Sequence, residues 1–162
     1  MKAEFFELEG FGGMRLPAVL WLPEGEVRYV LQITHGMTEH MGRYEDFAQY
    51  MTARGIAVAG FDLRGHGKNP GDPHVASCAE GGWAASLADM RLFYEMLERR
   101  FPAVPHYMLG FSLGSFLLRE YLSANADQPP AGAAIVGTGY QPGWLLSVMM
   151  ALIFSFFYPS FA

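Results

Sequence analysis

The 162-residue sequence has little of several features that mark special classes of protein. It has a single cysteine, Cys78, so an internal disulfide framework is excluded and a small, partly buried side chain is expected there. The net charge of −5 comes from interspersed acidic and basic residues, so no nucleic-acid surface is expected. Hydrophobic residues nevertheless make up 51% of the chain, which is enough for one domain with a substantial core.

Charge is missing from the last 35 residues, because all 27 charged side chains lie at or before Asp127. Within this tail, residues 144–158 form an unbroken and mostly apolar run. This run is shorter than the ~20 residues that a membrane-spanning helix needs, so a buried or interfacial helix is favoured over an anchor. The N-terminus lacks the apolar core of a secretory signal, since Glu4 and Glu7 stand there, and a cytoplasmic location is predicted.

The chemistry of the chain centres on a G-x-S-x-G motif formed by Gly110, Ser112 and Gly114. In a nucleophile elbow of this kind, a strand turns sharply into a helix and lifts the serine clear of the backbone. Side chains at the two glycines would collide where strand and helix approach, and the serine takes a strained conformation. Residues 106–109 predict a short buried strand and residues 113–122 an apolar-faced helix, which is the context that the motif requires.

The rest of the chain predicts an α/β fold. Strands are predicted over residues 3–9, 14–22, 28–34, 56–61 and 131–137, and helices over residues 44–54 and 83–100. The first two strands form an antiparallel hairpin, and the later alternation of strand and helix predicts a mostly parallel sheet with helices on both faces. On the first helix, Phe47, Tyr50 and Met51 are expected to form the apolar face. The loops at 35–44 and 62–82 fall, with Ser112, at the carboxyl edge of the sheet, where such folds bind ligands.

A serine hydroxyl becomes an effective nucleophile only when a base takes its proton and N–H donors stabilise the oxyanion that forms. The residue after the serine, Leu113, supplies one such N–H at the start of a helix. Met37, in the segment His35, Gly36, Met37 after the third strand, is placed to supply the other, and Gly36 lets that loop pass close to the substrate oxygen. An oxyanion hole made by Met37 and Leu113 is therefore predicted.

Three segments together resemble the α/β-hydrolase family, and more narrowly its monoacylglycerol lipase and lysophospholipase branch. They are H-G-M-T-E-H-M-G-R-Y at residues 35–44, D-L-R-G-H-G at 62–67 and G-F-S-L-G at 110–114, and they occur in the family's order. The resemblance covers most of residues 10–150. It implies hydrolysis of small-molecule carboxylic esters through an acyl-enzyme on Ser112, without a metal or other cofactor.

The resemblance also divides the chain in two. Residues 1–139 would be the N-terminal part of the hydrolase core, and residues 140–162 the start of a lid over the acyl-binding pocket. Such a lid explains the uncharged tail without a bilayer, and peripheral contact with lipid through residues 144–158 is a further expectation.

The chain departs from the family after Ser112. Family members carry the catalytic residues in the order serine, acid, histidine, but after Ser112 this sequence offers only Glu120 and Asp127 as acids and has no histidine. The match is therefore to the N-terminal half of the family, truncated before the last strands of the sheet. Among the earlier histidines, those expected on the correct edge are His35, His40, His66 and His74, whereas His106 precedes the elbow strand and falls at the opposite edge.

Three functions stay open on this evidence. The chain is the N-terminal part of a serine ester hydrolase whose activity belongs to a longer protein, or a catalytically silent domain that binds acyl ligands or a partner. The third is a membrane-associated protein anchored by residues 144–158.

Overall fold

A computed structural model describes residues 1–68 and 82–139, in which six strands form one sheet. The strands are β1 (Lys2–Glu9), β2 (Arg15–Leu22), β3 (Tyr29–Thr34), β4 (Ile56–Phe61), β5 (His106–Phe111) and β6 (Gly132–Val136). The helices are α1 (Glu45–Thr52), α2 (Gly82–Arg100) and α3 (Leu113–Ala124), with short 3-10 turns at Phe11–Gly13 and Met41–Tyr44. Every element predicted over the described residues is present, with ends within two residues of the prediction.

The sheet is mixed, and its strand order is β1-β2-β4-β3-β5-β6. β2 pairs antiparallel with both β1 and β4, whereas β4, β3, β5 and β6 run parallel to one another. Thr34 lies opposite Gly110 and Phe111 lies opposite Val136, so the chain leaves β3, β5 and β6 at one common edge. This arrangement confirms the α/β prediction of a parallel sheet entered through an antiparallel hairpin.

Helices cover both faces of the sheet because its strands alternate apolar side chains between the two sides. On β4, Ala57 and Ala59 belong to the larger cluster, which packs under α2 and α3. Val58 belongs to the smaller cluster, which packs under α1. The two layers hold the carboxyl ends of the strands in fixed positions, and the candidate site lies there.

The prediction for the apolar face of α1 is wrong for Tyr50, which is 56% exposed, and for Phe47, which is 36% exposed. The residues of α1 that are fully buried are Ala48 and Thr52. Ala48 belongs to the same buried cluster as Trp21 and Met41. The helix therefore approaches the sheet through its small side chains.

Phe47 and Met51 line an apolar groove of about 550 Å³ between α1 and strands β3, β5 and β6, opposite Tyr29 and Leu109. The groove continues towards β6, the outer strand, in which four of the five residues are exposed. The described sheet thus ends at β6 with this part of its α1 face uncovered.

Residues 69–81 and 140–162 lie outside the described residues. The expectations for Cys78, His74, the lid segment and the apolar run at 144–158 fall there. Among the helices of the described part of the chain, none combines the length and the apolar character needed to cross a membrane.

Candidate active site

Ser112 stands alone between the end of β5 and the start of α3, in the sharp turn that the motif predicts. Its backbone angles are φ +50° and ψ −115°, a region that residues with a side chain rarely occupy. Two sets of bonds hold it there. Its N–H donates to the carbonyl of Val136 at 2.9 Å, and its own carbonyl accepts the N–H and the hydroxyl of Ser115 at 2.9 and 2.6 Å.

The two glycines of the motif lie where backbone meets backbone. A Cβ on Gly114 would lie 2.0 Å from the carbonyl oxygen of Thr34, and one on Gly110 would lie 2.4 Å from the carbonyl oxygen of Gly114. Neither position has room for a side chain, because the obstacle is main chain that cannot rotate away. The collision expected from the sequence is therefore present, and it fixes α3 directly against β3 and β5.

The loop after β3 lies beside this turn. A Cβ on Gly36 would lie 3.3 Å from Cβ of Ser112, so the predicted loop and the predicted nucleophile are brought together. Leu113 is the first residue of α3, and its N–H has no partner within the helix. Within the described part of the chain, no hydrogen bond from the N–H of Met37 is present. Among residues 1–68 and 82–139, neither of these two backbone N–H groups has a hydrogen-bond partner.

The buried ring of His35 holds this loop through two hydrogen bonds. Its Nδ1–H donates to the carbonyl of Gly36 at 2.8 Å, and its Nε2 accepts the N–H of Leu63 at 2.9 Å. Burial lowers the pKa of His35 to about 4, outweighing the bond to Gly36. Because both ring nitrogens are engaged and the ring is neutral, His35 shapes the loop and is not free to accept a proton.

The D-L-R-G-H-G segment joins the two loops at this edge. Asp62, which is buried, accepts the N–H of Met41 at 2.7 Å through Oδ1 and the N–H of Lys68 at 3.0 Å through Oδ2. Gly67 takes φ +60°, and a Cβ there would lie 2.1 Å from the Asp62 carboxylate. Sequence reasoning missed this role of Asp62, although the residue stands inside a motif that it singled out.

No described histidine is hydrogen-bonded to Ser112. His66 packs against His35, and its Nδ1 bonds to the carbonyl of Arg64 at 2.8 Å. His40 is exposed. His106 begins β5, so it lies at the opposite edge of the sheet, as predicted, where it stacks on Tyr94 at 4.2 Å between ring centroids.

The two acids that follow Ser112 in the sequence, Glu120 and Asp127, lie away from it. Glu120 lies eight residues further along α3, roughly 12 Å along the helix axis, and accepts the indole N–H of Trp83 at 2.5 Å. Asp127 follows the far end of α3, away from the elbow. The described residues therefore supply the serine and two N–H donors but no acid–base pair next to them.

Comparison with known proteins identifies a family and several relatives that this chain resembles. The family model described as serine aminopeptidase, S33, matches residues 25–161. A monoacylglycerol lipase of Mycolicibacterium smegmatis is 32% identical over 131 residues, which are 80% of this chain and 44% of that protein. The human monoglyceride lipase is 29% identical over 94 residues, 58% of this chain and 30% of that protein. A carboxyl esterase of Bacillus coagulans superposes with a TM-score of 0.78 at 28% identity, covering 96% of this chain and 51% of that one.

The chain thus spans less than half the length of the two lipases and about half of the esterase. In each comparison, the match takes in more than half of this chain. A large part of each relative therefore has no counterpart in this chain.

Proposed function

Since the chain belongs to the serine aminopeptidase S33 family of α/β-hydrolases, we propose that it is the nucleophile-bearing, N-terminal part of a serine hydrolase of carboxylic esters. The observation that carries the proposal is the strained backbone of Ser112, held beside Gly36, with the N–H groups of Met37 and Leu113 free of partners among the described residues. The names of the relatives, lipases and a carboxyl esterase, favour esters over peptides as substrates. Monoacylglycerols, lysophospholipids and short acyl esters are the proposed substrate class.

In the proposed reaction, the Oγ of Ser112 attacks the ester carbonyl and its proton passes to a base. The N–H groups of Met37 and Leu113 stabilise the oxyanion, the alcohol leaves with a proton, and water then releases the acid from the acyl-serine. The base and its acid partner would come from residues beyond Ala162 in a longer protein. Without them, the rate falls by a factor on the order of 10⁴ to 10⁶.

The domain division belongs to the same proposal. Residues 1–139 form the N-terminal part of the core, and residues 140–162 begin a lid whose apolar run at 144–158 contacts the acyl chain or a lipid surface. A cytoplasmic location accompanies it, supported only by the acidic N-terminal sequence.

A second candidate has a specific observation in its favour. No histidine follows Ser112 in this chain, and His35, the nearest in sequence to the predicted oxyanion loop, has both nitrogens engaged. A catalytically silent domain that binds acyl ligands or a partner would need no base.

Labelling with a fluorophosphonate probe separates the two. The proposed hydrolase part is labelled slowly but specifically on Ser112, as mapped by mass spectrometry, because the N–H donors and the half-buried serine remain. The matched control is Ser112→Ala, which keeps every other serine. If the two proteins carry equal label, or none, the silent domain is the correct description. The coding sequence downstream of residue 162 provides a second check, since the proposal requires an aspartate and a histidine there.

A further inference from the structure

The carboxylate of Glu39, which has little exposure, is bonded within the loop between β3 and α1. Oε2 of Glu39 accepts the N–H of Gly36 at 3.0 Å and the hydroxyl of Tyr44 at 2.9 Å. Its Oε1 lies 3.1 Å from Nη1 of Arg43, and the Glu39 side chain is only 12% exposed. A carboxylate removed from water in this way needs several donors, and the loop supplies three.

Gly36 lies between this carboxylate and the predicted nucleophile. A Cβ on Gly36 would lie 3.1 Å from Oε2 of Glu39 and 3.3 Å from Cβ of Ser112. The Gly36 N–H is thus committed to Glu39, while the N–H of the next residue, Met37, remains available. Two rotatable bonds at the Gly36 Cα separate its own N–H from the peptide plane that carries the Met37 N–H, so both planes must be held for that N–H to have a fixed direction. Glu39 holds the first plane through the Gly36 N–H, and Nδ1 of His35 holds the second through the Gly36 carbonyl at 2.8 Å.

We infer that Glu39 is a positioning residue for the oxyanion hole: by holding the Gly36 N–H, it orients the Met37 peptide towards Ser112. This inference rests on the proposed function, because it needs an oxyanion at Ser112. Glu39 itself touches neither substrate nor nucleophile in this role.

Arg43 and Tyr44, the neighbours of Glu39, allow its carboxylate to lie near the oxyanion that would form at Ser112. A bare carboxylate near an oxyanion would oppose its formation, and the Arg43 guanidinium offsets that charge. Burial, together with the bond to Glu39, raises the pKa of Tyr44 well above its usual value, so its hydroxyl keeps its proton and donates.

The test compares Glu39→Ala, Glu39→Gln and the loop control Thr38→Ala, whose side chain is exposed. Gln has an amide oxygen in the same place and can accept from Gly36 and Tyr44 without the charge, whereas Ala cannot. Fluorophosphonate labelling of Ser112 is resolved into its maximal rate and its half-saturating probe concentration. The inference expects the maximal rate to fall about 10- to 100-fold in Glu39→Ala and to stay within roughly threefold in the other two variants. Half-saturation is expected to change little in any of them.

Hydrogen exchange of the Gly36 amide, followed by NMR, gives a readout that does not depend on labelling. The amide is expected to be protected in the unmodified chain and in Glu39→Gln, and to exchange at least about tenfold faster in Glu39→Ala. Equal exchange in all three proteins overturns the inference, as does an unchanged labelling rate in Glu39→Ala. Absence of label in the unmodified chain counts against the proposed function instead, and the exchange result then decides whether Glu39 holds Gly36.

Discussion

Nε2 of His35 lies 2.9 Å from the backbone nitrogen of Leu63 and accepts its hydrogen bond. This bond connects the loop after β3, which approaches Ser112, with the loop after β4. Since Nδ1 of the same ring donates to Gly36, one buried side chain fixes two loops at the edge of the sheet. The histidine of the H-G-M segment is therefore a structural part of the site, which explains why it cannot also serve as its base.

Replacing His35 with Phe should destabilise the fold. The ring keeps a similar volume, but the N–H of Leu63 and the carbonyl of Gly36 lose their buried partners, at a cost of about 2–4 kcal/mol. Urea unfolding measures the difference. His40→Ala is the control, since His40 is exposed, and it should cost less than about 1 kcal/mol. Equal losses in the two variants would contradict the assigned role.

Stability should fall as the pH is lowered from about 6.5 towards 4. Burial lowers the pKa of both His35 and His106 from 6.5 to about 4, so in this window the unfolded chain binds protons that the folded chain does not. Stability from the neutral rings is complete above pH 6.5 and is lost as the pH falls, by about 2 kcal/mol for each ring on reaching pH 5.

Urea unfolding as a function of pH checks this expectation. His106→Phe preserves the stack on Tyr94 and removes one titrating ring, so it should show about half the pH dependence of the unmodified chain. A flat profile in the unmodified chain would rule out two buried neutral histidines.

Asp89 should be among the costliest polar residues to remove. It is fully buried on α2 and accepts two bonds from Arg64, at 2.7 and 3.0 Å, and one from the N–H of Phe11 at 2.6 Å. Asp89→Ala leaves these donors unpaired and should cost about 3–5 kcal/mol in thermal or urea unfolding. The exposed pair of Arg15 and Glu7 provides the comparison, because Glu7→Ala should cost at most about 1 kcal/mol.

Gly114→Ala should prevent stable folding. The added methyl would lie 2.0 Å from the carbonyl oxygen of Thr34, so α3 must move away from the sheet at a cost of at least about 4 kcal/mol. Gly25→Ala places the same methyl in open space and should stay within about 1 kcal/mol. Circular dichroism and the soluble yield distinguish the two, and a well-folded Gly114→Ala chain would refute the close approach.

Much of this fold could be predicted from the sequence because its signals are local. The alternating and helical periods of hydrophobic residues predicted the strands and helices. Gly110 and Gly114 predicted the close approach of strand and helix, which is the contact of α3 with the backbone of β3 and β5. The face of α1 could not be predicted in the same way. Ala48 and Thr52 face the sheet, and Tyr50, two positions from each, lies on the opposite side of the helix. Which side of α1 is buried is decided by how the helix packs on the sheet.

The roles of the polar residues that support the site and the core could not be predicted from the sequence either, because they also depend on how the chain packs. Asp62 and Asp89 bind partners 21 and 78 residues away in sequence, so their roles depend on tertiary contacts that no local period reveals. The partners of Glu39 lie within five residues of it, but they meet only in the folded conformation of the loop. Glu39 and Asp62 could have been suspected, because they lie inside the quoted motifs. Asp89 lies on the buried side of α2, where an isolated acid in an apolar stripe was the one available sign.

The most direct test is whether added imidazole, which supplies the missing base, drives acylation of Ser112 by p-nitrophenyl butyrate. The unmodified chain and Ser112→Ala are incubated with the ester, with and without imidazole, and the butyryl group is located by mass spectrometry. We expect butyryl-Ser112 in the unmodified chain, formed at least about tenfold faster with imidazole, and no such adduct in Ser112→Ala. If Ser112 carries no butyryl group under either condition, the claim that this serine is a nucleophile that lacks only a base is contradicted.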